Sequence, residues 1–204
     1  MPRERTPFDA LVQSRRMTRA FETRPVDPAV IDHCIDLASR APSAGKTQGW
    51  HAVVLEGSET STYWDAAMAS SVREGFSFPH LLDAPVIMVI VADANAYVSR
   101  YSEDDKAATG WGESANAWPT PFWTVDASFA TMTILLALHD AGLGALFFAT
   151  ARQDAVRAAL GIPGEMQIIG TIAAGYMLSD ERSTGRSARR PRRGSDQIIH
   201  RGSW

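Results

Sequence analysis

The sequence predicts one mixed domain of the α/β or α+β class. Three observations carry that reading. Helical patterns alternate with short apolar runs along the chain. Two helices precede the first strand, and the strands are few. Pro85 to Ala92 is a continuous, largely β-branched apolar run, the mark of a strand covered on both faces. The 204 residues are enough for one large domain, which buries about 70% of its unfolded surface at this length. Hydrophobic residues are 45% and charged residues 21%, which excludes a wholly disordered chain.

Each element has a local cause. Thr6-Pro7 starts the first helix, with the hydroxyl as N-cap and the proline in the first turn. Phe8, Leu11, Val12 and Arg15 then share a face. Asp27-Pro28 opens a second helix by the same logic, with Ile31, Ile35 and Ala38 as its apolar stripe. Pro42 ends it, because the residue before proline is pushed out of the helical region. His51 to Leu55 reads as a strand that stops at Gly57. Thr62 to Arg73 reads as a helix.

From Asn95 to Thr124 the pattern dissolves, in a stretch holding Trp111, Trp118, Trp123, Pro119 and Pro121. A loop that long is either functional or an ordered excursion pinned by its tryptophans. Val125 to Ala141 is a helix apolar almost all round, buried on several sides or at a subunit interface. Gly142 supplies its left-handed stop. Ala145 to Phe148 is a buried strand. Gln153 to Leu160 is a short helix closed by Gly161 and Pro163, and Gln167 to Met177 is the last strand. Arg182 to Arg193 then carries six arginines, and Ile198-Ile199 is an isolated apolar pair.

Several function classes fall away. The net charge is −3 and the pI about 5.9, so the whole chain is no general polyanion binder. Cys34 is the one cysteine, which precludes an intrachain disulfide or a Cys-rich metal site; it reads as a small hydrophobe in the second helix. His33, His51, His80, His139 and His200 show no helical zinc spacing. Neither a Gly-x-Ser-x-Gly elbow nor a Gly-x-Gly-x-x-Gly turn is present. Ala41 to Thr47 resembles the end of a phosphate-binding P-loop. It follows a helix and precedes a strand, however, the reverse of that motif's context. Met1 to Thr6 is charged, and the strongly apolar run Ala84 to Ala92 is nine residues long. No secretory leader and no membrane span are expected, and the expected compartment is the cytoplasm.

Two basic clusters remain. Arg15-Arg16-Met17-Thr18-Arg19 crowds the end of the first helix, and Arg189-Arg190-Pro191-Arg192-Arg193 lies in the tail. Alone, the first reads as a basic helix end complementing the dipole. Alone, the second reads as a solvated tail or a nucleic-acid patch. Together they can converge on one phosphate, which guanidinium groups hold bidentately.

Five segments together resemble the FMN-dependent nitroreductase family. Arg15-Arg16-Met-Thr-Arg19-Ala-Phe21 is similar to its Arg-[Arg/His]-Ser-x-[Arg/Lys]-x-Phe opening. Ala41-Pro42-Ser43-Ala44-Gly45-Lys46-Thr47-Gln48-Gly49-Trp50 is similar to Ala-Pro-Ser-x-x-Asn-x-Gln-Pro-Trp. The others are the helix ending Asp140-Ala-Gly142-Leu-Gly144, the strand ending Gly175-Tyr176, and Arg190-Pro-Arg192-Arg-Gly-Ser-Asp196-Gln-Ile-Ile-His200. Met17, Lys46 and Gly49 depart from the family's Ser, Asn and Pro.

The resemblance implies an α+β fold with a mainly antiparallel central sheet flanked by helices. It implies a domain-intertwined homodimer with two FMN sites at the interface. Residues 1–180 would form the FMN-binding domain. Residues 181–204 would be an Arg-rich extension of it, crossing to the partner, where Ile198-Ile199 would pair with a sheet edge. Carried over by position, Arg15, Arg16, Met17 and Arg19 would meet the phosphate, ribityl chain and pyrimidine edge. Arg190 and Arg192 would close on the phosphate. Pro42, Ser43 and Ala44 would line the flavin from the partner, on the loop that also holds Lys46 and Gln48. Lys46 would face the pyrimidine carbonyls or solvent. Phe148, Ala149 and Thr150 mark where the family places a backbone N–H near flavin N5.

No side chain is expected to be catalytic and no metal is expected. The implied activity is NAD(P)H-dependent reduction of an acceptor such as a nitroaromatic or quinone, in ping-pong fashion. The alternatives are a specialised flavin enzyme (dehalogenase, flavin destructase or dehydrogenase) and a non-catalytic flavin-binding module. A dehalogenase of zwitterionic substrates would need a charged lid, for which Glu103 to Lys106 is the candidate. Trp111 to Trp123 is the candidate wall over the flavin, with plain packing as the other reading.

Overall fold

The computed structural model describes residues 6–178 and 190–204. The expected boundary at residues 180 and 181 lies outside them. Four strands form one sheet: β1 (Trp50–Glu56), β2 (Val86–Ala92), β3 (Gly144–Phe148) and β4 (Gln167–Gly175). Their order is β1-β2-β4-β3 and every pair is antiparallel. The class is therefore α+β, and the α/β alternative is closed.

Every residue of β2 is buried. Val86, Met88 and Ile90 face one apolar layer, and Ile87, Val89 and Val91 face the other. Covering on both faces is why this run reads as continuous rather than alternating.

The first helix, α1 (Pro7–Ser14), starts as read: Thr6 Oγ1 accepts from the Asp9 N–H at 3.2 Å, and the Asp9 carboxylate accepts from the Thr6 N–H at 2.7 Å. Asp27 caps α2 (Pro28–Ala38), which buries Ile31, Cys34 and Ala38. The long helix α6 (Phe122–Asp140) begins three residues before the expected Val125. It packs on α2 and on the sheet. Its end is a Schellman motif: Leu143 N–H donates to Leu138 O at 2.9 Å and Gly142 N–H to His139 O at 3.0 Å, with Gly142 at φ 77°. Its 19 residues are long and apolar enough to cross a bilayer. In the fold Ala127, Ala130, Ile134 and Leu138 lie in the core, while Phe129 and Met132 are 46% and 40% exposed. The expectation drawn from the nine-residue run overlooked this helix.

Three boundaries differ from the sequence reading. The expected helix from Thr62 to Arg73 is two, α3 (Thr60–Ala67) and α4 (Ser70–Arg73), broken at an extended Met68. Tyr63, Trp64 and Ala67 make a buried face that Ala69-Ser70-Ser71 does not continue. The stretch from Asn95 to Thr124 contains α5 (Ala94–Tyr101), capped by Asp93 and buried only at Tyr97 and Tyr101, too few positions to show a period. β4 ends at Gly175, and Met177 forms only an isolated bridge with Phe21. The short helix α7 (Gln153–Leu160) closes on Gly161 as expected.

The two sheet edges differ. Outside β3, Met17 forms a parallel bridge with Ala145, and the Thr18 N–H donates to Ala145 O at 2.9 Å. Outside β1, no strand pairs among the described residues. An open cleft of about 800 Å³ runs between α2 and β1. Ile35, Trp50 and Val54 line it with apolar surface, and Asp32, Asp36 and Glu56 line it with carboxylates.

Candidate functional site

The chain leaves α1 at Arg15, whose extended backbone (φ −55°, ψ 133°) turns the next residues along β3. Arg15 Nη1 is buried and has no hydrogen-bond partner among the described residues. Burial, then the charges of Arg192 and Arg16, hold the guanidinium below its usual pKa. No carboxylate pairs with it among the described residues. A partly desolvated cation beside two others, with a free donor, is a site for an anion. Arg192, from the second basic cluster, lies near enough for its charge to act on Arg15.

The neighbours complete this end. Ser14 Oγ lies 2.8 Å from His139 Nε2, and Ser14, Arg15, Thr18, His139 and Gly144 help line a recess of about 130 Å³. Arg16 is exposed, and its Nη1 donates to Gln13 O at 2.6 Å and Arg15 O at 2.9 Å. Arg19 stands over the Phe78 ring, 5.6 Å from its centroid. Met17 packs against both apolar layers, so its departure from Ser has a packing reason. Arg190 and Arg192 are exposed.

The second candidate segment is the turn after α2. Pro42, Lys46 and Gln48 are exposed, and Ser43 and Ala44 half-buried. Gly45, Lys46 and Gln48 have φ of 61°, 54° and 53°, the left-handed region that costs a side chain strain. A helix precedes the turn and β1 follows, which removes the P-loop reading.

Both ends of this turn are held. Ala44 N–H donates to Asp126 Oδ2 at 2.8 Å. Arg100 Nε donates to Gly45 O at 3.0 Å. Ser43 Oγ accepts from Gln48 N–H at 2.8 Å, and Gln48 Nε2 donates to Ser39 O at 2.7 Å.

The strand register separates the two segments. Ala145, beside Met17, pairs near the Gly175 end of β4, whereas Trp50 pairs with Ala92 at the Gln167 end. The separation is about 20 Å along the strands and about 14 Å across them. One chain does not assemble its own Arg15 cluster with its own Pro42–Ala44 segment. Phe148 and Ala149 lie at the far end of β3 from Arg15. Ala149 is exposed, while the buried Thr150 commits its hydroxyl to Thr171 at 2.8 Å. At position 150 only backbone is left to meet a ligand.

The tryptophan stretch packs inward. Trp118 is buried against Tyr97 and Tyr101, Trp111 stacks on Tyr101, and Trp118 Nε1 donates to Trp111 O at 3.0 Å. Trp123 Nε1 donates to Gln167 Oε1 at 2.9 Å. These rings form a cluster that abuts Ala44, which favours the packing reading over a wall above the flavin. Three of the four charges from Glu103 to Lys106 are also engaged: Glu103 pairs with Arg100 at 3.1 Å, Asp105 takes a two-pronged bond from Arg100 at 2.6 and 2.8 Å, and Lys106 Nζ lies 3.6 Å from Asp105. The sequence reading missed Asp126, Tyr97 and Arg100. Asp126 had a signal, as the one charged residue between Trp123 and Leu138.

Residues 12–176 match the model of the Nitroreductase family. Among curated relatives, an NADH dehydrogenase of Thermus thermophilus is 28% identical over 181 residues, covering 79% of this chain and 82% of that protein. A 4-nitrobenzoate reductase of a Nocardioides species is 27% identical over 197 residues, covering 83% and 80%. Among solved structures, an FMN-dependent nitroreductase of Clostridium difficile superposes with a TM-score of 0.64 at 19% identity, covering 95% of this chain and 98% of that one.

Proposed function

Since the chain belongs to the nitroreductase family, we propose that it is an FMN-dependent oxidoreductase that takes electrons from NAD(P)H and passes them to an acceptor such as a nitroaromatic or quinone. The observation that carries this reading is the buried, unpartnered Nη1 of Arg15 beside Arg16 and Arg192. Those residues fit a phosphate monoester. Bound flavin would supply the two-electron chemistry.

The chain's own residues would hold and shield the cofactor. Arg15 and Arg192 would grip the phosphate, with Arg190 alongside. Arg16, Met17 and Arg19 would flank the cofactor along β3, and the exposed residue Ala149 would present its backbone N–H to the flavin ring at the other end. Preorganised donors of this kind stabilise charge as it develops.

The active unit would be a homodimer, and two observations support it. The Pro42–Ala44 segment lies far from the same chain's Arg15, so a cofactor site that uses both would draw one from each copy. The described tail from residue 190 is exposed throughout, with Ile198 and Ile199 at 57% and 47%. Apart from the arginines assigned to the phosphate, it carries Arg193, Asp196 and Arg201, and its two remaining arginines are opposite in sign to Asp32, Asp36 and Glu56 at the β1 cleft. The apolar pair suits the apolar side chains lining that cleft in a second copy, and Arg201, which follows the pair, suits its carboxylates. Related proteins named as NADH dehydrogenase and 4-nitrobenzoate reductase support the donor and acceptor classes.

The test is the visible spectrum of the purified protein before and after FMN addition and desalting, followed by anaerobic NAD(P)H and then a quinone. Retained flavin near one per chain, bleached by NAD(P)H and restored by quinone, is the expected result. Flavin that binds but never turns over would leave a storage module. A protein that refuses FMN would sink the reading.

A further inference from the structure

We propose that Asp126 is a positioning residue: it fixes the turn Ser43 to Gln48 in the shape that the cofactor site of a second copy requires. The proposal rests on the flavin reading above.

Asp126 is 3% exposed, and Tyr97 is fully buried. The same oxygen, Asp126 Oδ2, accepts from Ala44 N–H at 2.8 Å and from Tyr97 Oη–H at 2.7 Å. Burial first, then the nearby carboxylate, push the Tyr97 hydroxyl well above the usual tyrosine range. Tyr97 therefore keeps its proton and donates at any working pH. Tyr97 Oη lies 3.4 Å from Ser43 Oγ, which itself accepts from Gln48 N–H. One chain of polar contacts thus runs from a buried carboxylate to both ends of the turn.

Packing alone does not require a carboxylate here. Buried charge is costly, and the surroundings of Asp126 in α6 are apolar. What the carboxylate adds is a strong acceptor for a backbone N–H. The turn needs one, because Lys46 and Gln48 sit in left-handed backbone that persists only when its surroundings over-determine it. Arg100, held by Asp105, fastens the adjoining carbonyl of Gly45 from the other side. The tyrosine rings of α5 close the remaining space: a Cβ on Gly45 would meet Tyr101 at 2.9 Å, and one on Gly49 would meet Tyr97 at 2.8 Å. In the proposed dimer Ser43 and Ala44 border the flavin, where a displacement of about 1 Å costs on the order of 100-fold in rate.

The test compares Asp126→Asn, Asp126→Ala and Tyr97→Phe with the unaltered protein as purified. Tyr97→Phe leaves the Asp126–Ala44 bond in place and guards against misfolding of the alanine variant. The first readout is amide hydrogen exchange at residues 44–48. The second is the kcat and KM for a quinone, together with the FMN dissociation constant. In Asp126→Ala, exchange at Ala44 should rise at least 10-fold and kcat should fall roughly 10- to 100-fold. FMN affinity should stay within about threefold, because the phosphate arginines are untouched. Asparagine, which keeps one acceptor, should recover much of both losses, and Tyr97→Phe should fall between.

Unchanged exchange at Ala44 in a folded Asp126→Ala protein overturns the proposal. So does a released turn with unaltered kcat. If the unaltered protein binds no FMN, the flavin reading fails, and the exchange data still decide whether Asp126 holds the turn.

Discussion

Replacing Arg15 with methionine should raise the stability of the flavin-free protein and lower that of the loaded one. Methionine keeps most of the aliphatic stem and removes the guanidinium. In the free protein that group carries a buried donor with no partner and sits against two like charges. An unsatisfied buried donor costs about 1–3 kcal/mol; the rest of the group reaches solvent, so the low end, about 1 kcal/mol, applies. For a chain of this size that is an increase in Tm of about 2–4 °C. With FMN the sign reverses. Two charge-assisted bonds to phosphate, at about 1.5 kcal/mol each, are lost, and affinity falls roughly 100-fold. At FMN 100 times the unaltered protein's Kd, that protein gains about 2.7 kcal/mol, whereas the variant, now at its own Kd, gains about 0.4 kcal/mol. The unaltered protein then leads by about 1.3 kcal/mol, or about 3–5 °C. Thermal melts of flavin-stripped protein, at one protein concentration with and without FMN, read both. A variant that melts lower in both conditions makes Arg15 a structural residue. An undiminished FMN shift removes it from the phosphate site.

Three more outcomes follow from the geometry. Ile198 and Ile199 have about half their surface still to bury, worth about 1 kcal/mol each, and a symmetric dimer buries two such pairs, so the double alanine variant should weaken it roughly 1,000-fold by sedimentation; an unchanged dissociation constant excludes the tail from the interface. Asp105 is held at about 2, chiefly by its bond from Arg100. A lowered carboxyl pKa means that its support for the Arg100–Gly45 tether is complete above about pH 4 and is lost as pH falls toward 2; a side-chain carboxyl titrating near 4 by NMR would show no such tether. Gly49→Ala forces a Cβ to within 2.8 Å of Tyr97 Cε2, 3.0 Å of Ala96 Cβ and 3.2 Å of Asp93 O, and should cost about 1–3 kcal/mol in denaturant melts. An unchanged midpoint would mean that α5 gives way freely.

What the sequence made legible was whatever local chemistry decides. Thr6, Asp27, Gly142 and Gly161 mark helix ends because a cap is a bond between near neighbours. β2 is legible because burial on both faces leaves no polar residue to break the run. The break at Met68 and the helix α5 were hidden, because two or three buried residues carry no period. The arginines were legible as cations and their convergence as an expectation; which of them come near each other, Arg15 and Arg192, is decided by the fold. The turn after α2 was hidden for a different reason. Left-handed backbone usually announces itself with glycine or asparagine, and here Lys46 and Gln48 occupy it, held by Asp126 and Arg100 from distant helices.

The bare side of β1 bears on how the protein is made. The strand emerges from the ribosome early, and residues 190–204 emerge long after it. At ordinary translation speeds that is a delay of about ten seconds or more. If the tail of a second copy covers this edge, the nascent chain carries an open β template for the whole interval, and afterwards until it meets another molecule. Soluble yield should then depend on how quickly newly made copies find each other rather than on intrinsic fold stability. Slow, dispersed synthesis would leave edges waiting, and crowded synthesis would risk pairing them with the wrong strand. A short peptide matching the tail, supplied in trans during refolding, should rescue material that otherwise aggregates.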